Sequence, residues 1–449
     1  MPKLFGTDGI RGEANHYPMD GGLAFRVGQA LAVVLRDRNP HPRVVLGRDT
    51  RISGPMIESA ISAGIMSMGA SPFLVGILPT PGIAFITRSS GADAGVVISA
   101  SHNPYPDNGI KIFSKDGFKL SDDDEETIEA LLFGDALKNH RPSPGHLGRS
   151  YALGDAETRY IDFLKSTFPR DLSMNGIKIV LDTANGATYE VAPRVFREMG
   201  AQVHVIHNHP DGVNINDHCG SQHTQDLEKE VLAKNASVGL AFDGDGDRLI
   251  AVDEKGEKVT GDQILIICAK VMHDLGGLKG NLLVTTVMSN LGLRMACNKF
   301  GFQHHVSKVG DRYVLEEMRR LGGNLGGEDS GHMIFLDHHT TGDGILSALQ
   351  LVGAMVRTRK TLSELAGWMD LYPQKLINVR VKSKPEITTV PEIAIVIAEA
   401  EKDLGDQGRV LVRYSGTENL CRVMVEGPTD EITLKHCSKI AATVKSVLG

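Results

Sequence analysis

Residues 243–248 read Asp-Gly-Asp-Gly-Asp-Arg, three carboxylates at alternate positions with two glycines between them and an arginine at the end. Packing does not ask for this pattern. Carboxylates so close together repel one another unless a cation offsets them. Oxygen ligands suit Mg²⁺ or Ca²⁺ rather than Zn²⁺, which prefers His and Cys. The glycines let the backbone bend so that Asp243, Asp245 and Asp247 converge. Arg248 adds a fork-shaped cationic donor beside the metal, where a phosphate could lie. The indicated chemistry is metal-assisted phosphate transfer.

A Ca²⁺-binding module with an EF-hand-like loop is the rival reading. Counted from Asp243, the loop supplies Asp245, Asp247, Ile250 and Glu254 where an EF-hand needs them. Arg248 stands where that loop requires a glycine for its sharp turn. The flanks Val238–Phe242 and Leu249–Val252 also read as strands, whereas an EF-hand has helices.

Five other clusters have polar groups on turns. Ser101-His102-Asn103-Pro104 ends the apolar strand Ala94–Ser99, which exposes the serine hydroxyl where ligands bind in α/β folds. His102 is a candidate base. Asp107–Gly109 follows as a turn, with Lys111 at a strand start. Arg413-Tyr414-Ser415-Gly416-Thr417-Glu418 lies between two strands, and its hydroxyls and backbone N–H groups, with Arg413 and Arg422, suit a phosphate. Gly327-Glu328-Asp329-Ser330-Gly331-His332 has carboxylates and a hydroxyl suited to sugar hydroxyls. Phe5–Gly12 is a Gly-rich loop carrying Arg11, and Lys308 begins a short Lys-Val-Gly-Asp turn.

The elements that must position these groups recur. Strand, loop, helix, glycine and strand follow one another over Val44–Leu78, Ile179–Ile206 and Leu282–Val306. Each is a βαβ unit with glycine ending the helix. Three such units predict three related α/β domains with mixed, mostly parallel sheets and functional loops at strand C-termini. The last stretch differs. Strand Asn378–Lys382, helix Val390–Leu404, strands Arg409–Arg413 and Cys421–Glu426 and helix Thr429–Leu448 predict a smaller C-terminal α+β domain. The acidic run Asp122–Glu126 after Ser121 reads as a solvated helix N-terminus.

Bulk properties agree. The 449 residues suffice for several domains, and 5% aromatic residues with 50 glycines fit an aliphatic α/β protein. A net charge of −7 gives no global field for nucleic acid. Five scattered cysteines, without a Cys-x-x-Cys pair, read as reduced thiols. Met1–Asp20 carries charges and no apolar core, unlike a signal peptide, and no apolar run approaches a membrane span. A cytoplasmic protein is expected.

Taken together, Ser-His-Asn-Pro, Asp-Gly-Asp-Gly-Asp-Arg, Gly-Glu-x-Ser-Gly-His and Ser-Gly-Thr-Glu, in this order, resemble the α-D-phosphohexomutase superfamily. Within it, Phe-Gly-Thr-Asp-Gly-Ile-Arg-Gly and Arg-Tyr-Ser-Gly-Thr-Glu are most similar to the bacterial enzymes acting on glucosamine phosphate. The resemblance implies a central cleft among domains 1–155, 156–256, 257–370 and 371–449, the last one mobile. It implies a phosphoserine at Ser101 and one Mg²⁺ held by Asp243, Asp245, Asp247 and an oxygen on Ser101. Arg11, Lys111 and Arg248 would surround the transferring group, with Lys111, His102 and His332 as acid/base candidates. Glu328 and Ser330 would read sugar hydroxyls, with Lys308 nearby. Arg413, Ser415, Gly416, Thr417 and Arg422 would hold the distal phosphate. The implied reaction interconverts glucosamine 6-phosphate and glucosamine 1-phosphate through glucosamine 1,6-bisphosphate. Glucose and mannose phosphates are the alternative substrates. Sugar phosphates are the expected partners, with neither nucleic acid nor membrane, and a homodimer is an allowed assembly. Two positions depart from the pattern: Asn419 stands where proline is common, and Asp329 where Gln or Met is common.

Overall fold

The computed structural model describes residues 4–6, 8–134, 136–415 and 419–449. They fall into two compact units, 1–287 with 303–367, and 288–302 with 368–449.

The first unit has three sheets, and each contains one of the expected βαβ crossovers. Arg43–Arg48 lies between two parallel neighbours, Ser71–Ile77 and Ala94–Ile98, with helix Gly54–Ser67 in the crossover. Ala94–Ile98 is buried at every position, as its unbroken apolar run requires. Its other edge pairs antiparallel with Asp107–Ser114, which pairs antiparallel with Ile10–Glu13. The expected turn at Asp107–Gly109 is therefore strand. Lys111 lies in mid-strand, 2% exposed, rather than at a strand start. The order of this six-stranded sheet brings the N-terminal loop beside Lys111.

In the second sheet Lys178–Asp182 is parallel to Gln202–Ile206 and to Val238–Phe242. Val238–Phe242 then forms an antiparallel hairpin with Leu249–Asp253. In the third sheet Leu282–Thr286 is parallel to Gln303–Ser307 and Leu325–Gly327, and Met333–Phe335 closes the edge antiparallel. Crossovers make the sheet interiors parallel, and hairpins at the edges carry the functional loops. Helix Asp122–Phe133 begins as expected, with the Ser121 side chain accepting from Asp124 N–H.

Helix Gly344–Thr358 is buried along most of its length. Its N-cap, Asp343, accepts from Leu346 N–H at 2.9 Å and from the Tyr160 hydroxyl at 2.8 Å. Burial outweighs these hydrogen bonds and raises the Asp343 pKa to about 7. The folded protein thus favours the neutral carboxyl. Its stability is fully present below the unfolded-state pKa and falls as pH rises through about 7. Asp343→Asn keeps the cap acceptor and removes the ionisation. It should remain roughly 2–4 kcal/mol more stable than wild type above this range, and lose the advantage in acid. Denaturant melts of both proteins across this pH range check it. Parallel curves would show that Asp343 does not ionise there.

The second unit has an antiparallel sheet with Leu420–Glu426 between Gln374–Arg380 and Arg409–Tyr414. Its first strand starts four residues earlier than the expected Asn378. Helices Pro391–Leu404 and Asp430–Leu448 enclose a core that includes Ile393, Val423, Val425, Ile440 and Val444. The third crossover's helix, Leu291–Phe300, belongs to this unit. The Phe300 and Trp368 rings meet edge-on at 6.2 Å, and the Asn290 amide donates to Tyr372 O at 2.9 Å. Those contacts draw the helix to the C-terminal chain, which a βαβ pattern does not foretell. No helix among the described residues is long and apolar enough to cross a membrane.

Candidate active site

The Asp-rich segment is the turn of the hairpin closed by Phe242 and Leu249. Three neighbours hold its backbone. Gly244 O accepts from Ala187 N–H, Asp245 O from Thr80 N–H, and Gly246 O from Gly344 N–H, at 2.8–3.0 Å. Both glycines are needed. Gly246 has φ +72, and a Cβ there would lie 2.5 Å from Thr188. A Cβ on Gly244 would lie 2.6 Å from Ser101 O.

That close approach brings Ser101 to the carboxylates. Its Oγ donates to Asp243 Oδ2 at 2.5 Å. Ser101 is 1% exposed and has φ +53, unusual for a residue with a side chain. The strain is held from several sides. Ser101 N–H donates to Ser99 Oγ, and Ser101 O accepts from Asn216 and Arg51. Arg51 is fully buried and uses all five N–H donors. Nε donates to Asp49, and the terminal nitrogens donate to the carbonyls of Ser101, Asn103, Pro104 and Asp107. Sequence reasoning passed over Arg51. Its signal was a polar Asp49-Thr50-Arg51 step at the end of a buried parallel strand.

Asp243, Asp245 and Asp247 bring ligand oxygens within 4.8 Å of one another. Burial and then repulsion from Asp247 and Asp245 push the Asp243 carboxyl well above its usual range. The opposite holds at Asp247. There, burial is outweighed by Lys111, His332 and Arg248. Lys111 Nζ lies 2.9 Å from Asp245, 3.0 Å from Asp8 and 3.7 Å from Asp247. Burial opposes its charge, but these carboxylates prevail and raise its pKa. Lys111 is therefore a fixed cation, which argues against the acid/base role expected for it. Asp245 Oδ1 and Asp247 Oδ1 are buried without a hydrogen-bond partner. Two orphaned carboxylate oxygens beside a serine hydroxyl fit a hard divalent cation.

The calcium-module reading fails on the same geometry. Strands flank the loop, and Glu254, the twelfth position, accepts from Ser363 Oγ and N–H at the start of helix Leu362–Ala366.

A cavity of about 440 Å³ opens beside the triplet, lined among others by Arg11, His102, Asp247, Arg248, Glu328 and His332. Arg11 pairs with Asp8 and donates to Ala100 O at 3.5 Å. Asp8 is a further member that sequence reasoning missed. It joins Lys111, Lys119 and Arg11, and Lys119 continues to Asp311. Burial, then Arg248 and Arg11, lower His102 to about 4, so its ring is neutral at pH 7. His332 is buried. Burial opposes its protonation, and Asp247 and Asp311 favour it. These carboxylates prevail and raise its pKa, with Nδ1 3.5 Å from Asp247 and Nε2 3.5 Å from Asp311. His332 thus orients a carboxylate. Glu328 reaches the cavity with one oxygen accepting from Gly310 N–H. Ser330 Oγ is buried without a partner. Asp329 accepts from Asp262 N–H at the start of helix Gly261–Asp274, a capping role. Lys308 is exposed, with Nζ 5.8 Å from the Tyr313 ring, and does not line the cavity.

In the second unit Arg413 and Arg422 face each other across an antiparallel pair. Burial and then Arg422 lower the Arg413 pKa. Ser415 is buried, and its carbonyl accepts from Lys384 Nζ at 2.9 Å. Gly416 and Thr417, also expected at this loop, lie outside the described residues.

Known proteins share this architecture. The chain matches the phosphoglucomutase/phosphomannomutase α/β/α domain I over residues 2–138, domain II over 158–256, domain III over 260–372 and the C-terminal domain over 376–443. It is 64% identical to a phosphoglucosamine mutase of Syntrophobacter fumaroxidans and 58% identical to one of Syntrophus aciditrophicus, each match covering both chains in full. Among solved structures, a phosphoglucomutase/phosphomannomutase family protein of Burkholderia thailandensis shares the fold. Its TM-score is 0.81 at 24% identity, covering 99% of this chain and 97% of that one. Aspergillus fumigatus N-acetylphosphoglucosamine mutase, solved with GlcNAc-6P and magnesium, has TM-score 0.68 at 16% identity, covering 99% and 96%. Matched over nearly its whole length, the chain belongs to the phosphoglucomutase/phosphomannomutase family of the α-D-phosphohexomutase superfamily.

Proposed function

We propose that this phosphohexomutase is a cytoplasmic phosphoglucosamine mutase. On this reading it interconverts glucosamine 6-phosphate and glucosamine 1-phosphate, a step toward amino-sugar precursors of the cell wall. The observation that carries the mutase chemistry is the Ser101 hydroxyl, held in a strained turn against a buried three-aspartate cluster. The high identity to phosphoglucosamine mutases over the full chain supports the sugar.

Ser101 in its phosphorylated form is the donor. Its phosphoryl group passes to O1 of glucosamine 6-phosphate, and the O1 proton passes to a base. This gives glucosamine 1,6-bisphosphate and a free serine. The bisphosphate turns over in the cleft, and Ser101 takes the 6-phosphoryl group, leaving glucosamine 1-phosphate. Positioning and charge neutralisation carry such a transfer, because the protein has little covalent work to do. Asp243, Asp245, Asp247 and an oxygen on Ser101 would hold Mg²⁺, which supplies a Lewis acid to the phosphoryl oxygens. Arg11 and Arg248 face the cavity where the transferring group must pass, and Lys111 pairs with Asp245 and Asp247. His102 lines the same cavity with a partnerless Nδ1, which makes it the proton acceptor of choice. Glu328 and Ser330 read sugar hydroxyls.

The distal phosphate is assigned to Arg413, Arg422, Ser415 and the adjoining Gly416 and Thr417. Arg413 and Arg422 stand directly opposite each other across the strand pair, two guanidinium groups that suit one phosphate. Arg413→Ala should raise KM by about tenfold to a hundredfold with a smaller fall in kcat. A fall in kcat alone would remove Arg413 from the phosphate site.

Side-by-side assays of glucosamine, glucose and mannose 6-phosphates test the substrate. Glucosamine 6-phosphate should have the highest kcat/KM. A higher value for glucose or mannose would make the protein a phosphoglucomutase or phosphomannomutase.

A further inference from the structure

A second cluster of ligating groups lies in the loops that back the Asp-rich hairpin, on side chains that the transfer chemistry does not use. Asp182 ends strand Lys178–Asp182, His207 follows strand Gln202–Ile206, and Cys219 precedes the short turn Gly220–Gln222. One ligand atom from each lies within 4.8 Å of the other two. Asp182 and Cys219 are buried, at 0% and 1% exposure.

Three details point to a common centre. His207 Nδ1 lies 3.1 Å from Asp182 Oδ2. Two ligand atoms this close can share one ion. The spacing suits this, since tetrahedral ligands at Zn²⁺ bond lengths are roughly 3–4 Å apart. Next, the far ring nitrogen, His207 Nε2, lies 3.6 Å from Asp226 Oδ2. A carboxylate behind the second nitrogen is the usual support for a metal-bound histidine. Finally, the loops are pinned independently of any ion. Asp182 accepts from the N–H groups of Ala184 and Gly220, and His207 O accepts from Asn185 N–H and Thr183 Oγ1. His207 is held at φ +50.

We infer that Asp182, His207 and Cys219 form a tetrahedral site for Zn²⁺ or a similar soft divalent cation, with the fourth position left to water. A thiolate, an imidazole and one carboxylate select this class of ion, whereas the all-oxygen triplet at 243–247 selects Mg²⁺. Binding breaks the Cys219 S–H bond, forms a metal–sulfur bond and releases the proton to solvent. Burial and the Asp182, Asp217 and Asp226 carboxylates push the thiol pKa up, so affinity should rise with pH. The role is structural, tying together three loops at one end of the second sheet.

Co²⁺ titration of the chelator-treated full-length protein tests this, because cobalt bound to thiolate shows a near-ultraviolet charge-transfer band. Wild type should show the band at one Co²⁺ per chain, and Zn²⁺ should displace it. Cys219→Ser should lose it, and His207→Gln should weaken binding at least tenfold. Asp245→Asn, which alters only the oxygen triplet, should keep it. Absence of the band in wild type, or its persistence in Cys219→Ser, would overturn the assignment. The wild-type titration decides the matter even if a variant folds poorly.

Discussion

Ser101→Ala should fold as the wild type does and lose at least about 10⁴-fold in turnover, because the proposed mechanism routes the phosphoryl group through the Ser101 hydroxyl. The hydroxyl makes one side-chain hydrogen bond, to Asp243. The rest of the turn is held through backbone atoms: Ser101 N–H on Ser99, and Ser101 O under Arg51 and Asn216. Alanine leaves all of these in place and tolerates the positive φ about as poorly as serine. Circular dichroism melts and a coupled assay separate the two effects. A variant within tenfold of the wild-type rate would end the phosphoserine account.

The second large effect belongs to Lys111. Asp245 is 1% exposed and Asp247 9% by side chain, and Lys111 Nζ is the ammonium between them and Asp8. Removing one partner of a buried ionic cluster costs about 3–5 kcal/mol, because uncompensated charge stays behind. Lys111→Met keeps an unbranched side chain, one atom shorter, and removes the charge. It should lower stability by that amount and turnover by at least about a hundredfold, since the carboxylates and the phosphoryl oxygens then lack a preorganised cation. Added Mg²⁺ should recover part of the stability and little of the rate. Denaturant melts with and without Mg²⁺, paired with kcat, check both. Unchanged stability would mean that the carboxylates are neutral in the folded protein.

The contrast between Lys111 and the Asp-rich loop shows what the sequence could disclose. The loop's chemistry is local, with three carboxylates, two glycines and an arginine within six residues and strands on either side. The three βαβ repeats were equally legible, since apolar runs and helix-ending glycines mark each element. Lys111 was misread because Asp-Asn-Gly carries turn chemistry. Only pairing with Ile10–Glu13 on one edge and Ala94–Ile98 on the other makes it a central strand. Asp8 and Arg51 were missed because their partners lie far away in sequence, Asp8 on Lys111 and Lys119, and Arg51 on the carbonyls of the Ser101 turn. Lys308 is expected near the sugar, but its Nζ lies over the Tyr313 ring at 5.8 Å and it does not line the cavity. Asp329, which departs from the family pattern, accepts from Asp262 N–H at the start of a helix. In each case a side chain's role follows from which distant backbone it meets.

The most direct test of the account is to locate the phosphate. Wild-type protein turned over with glucosamine 1,6-bisphosphate labelled in its phosphoryl groups, then digested and mapped by mass spectrometry, should carry label on Ser101 alone. Label on another residue, or an unlabelled protein that still interconverts the two monophosphates, would contradict it.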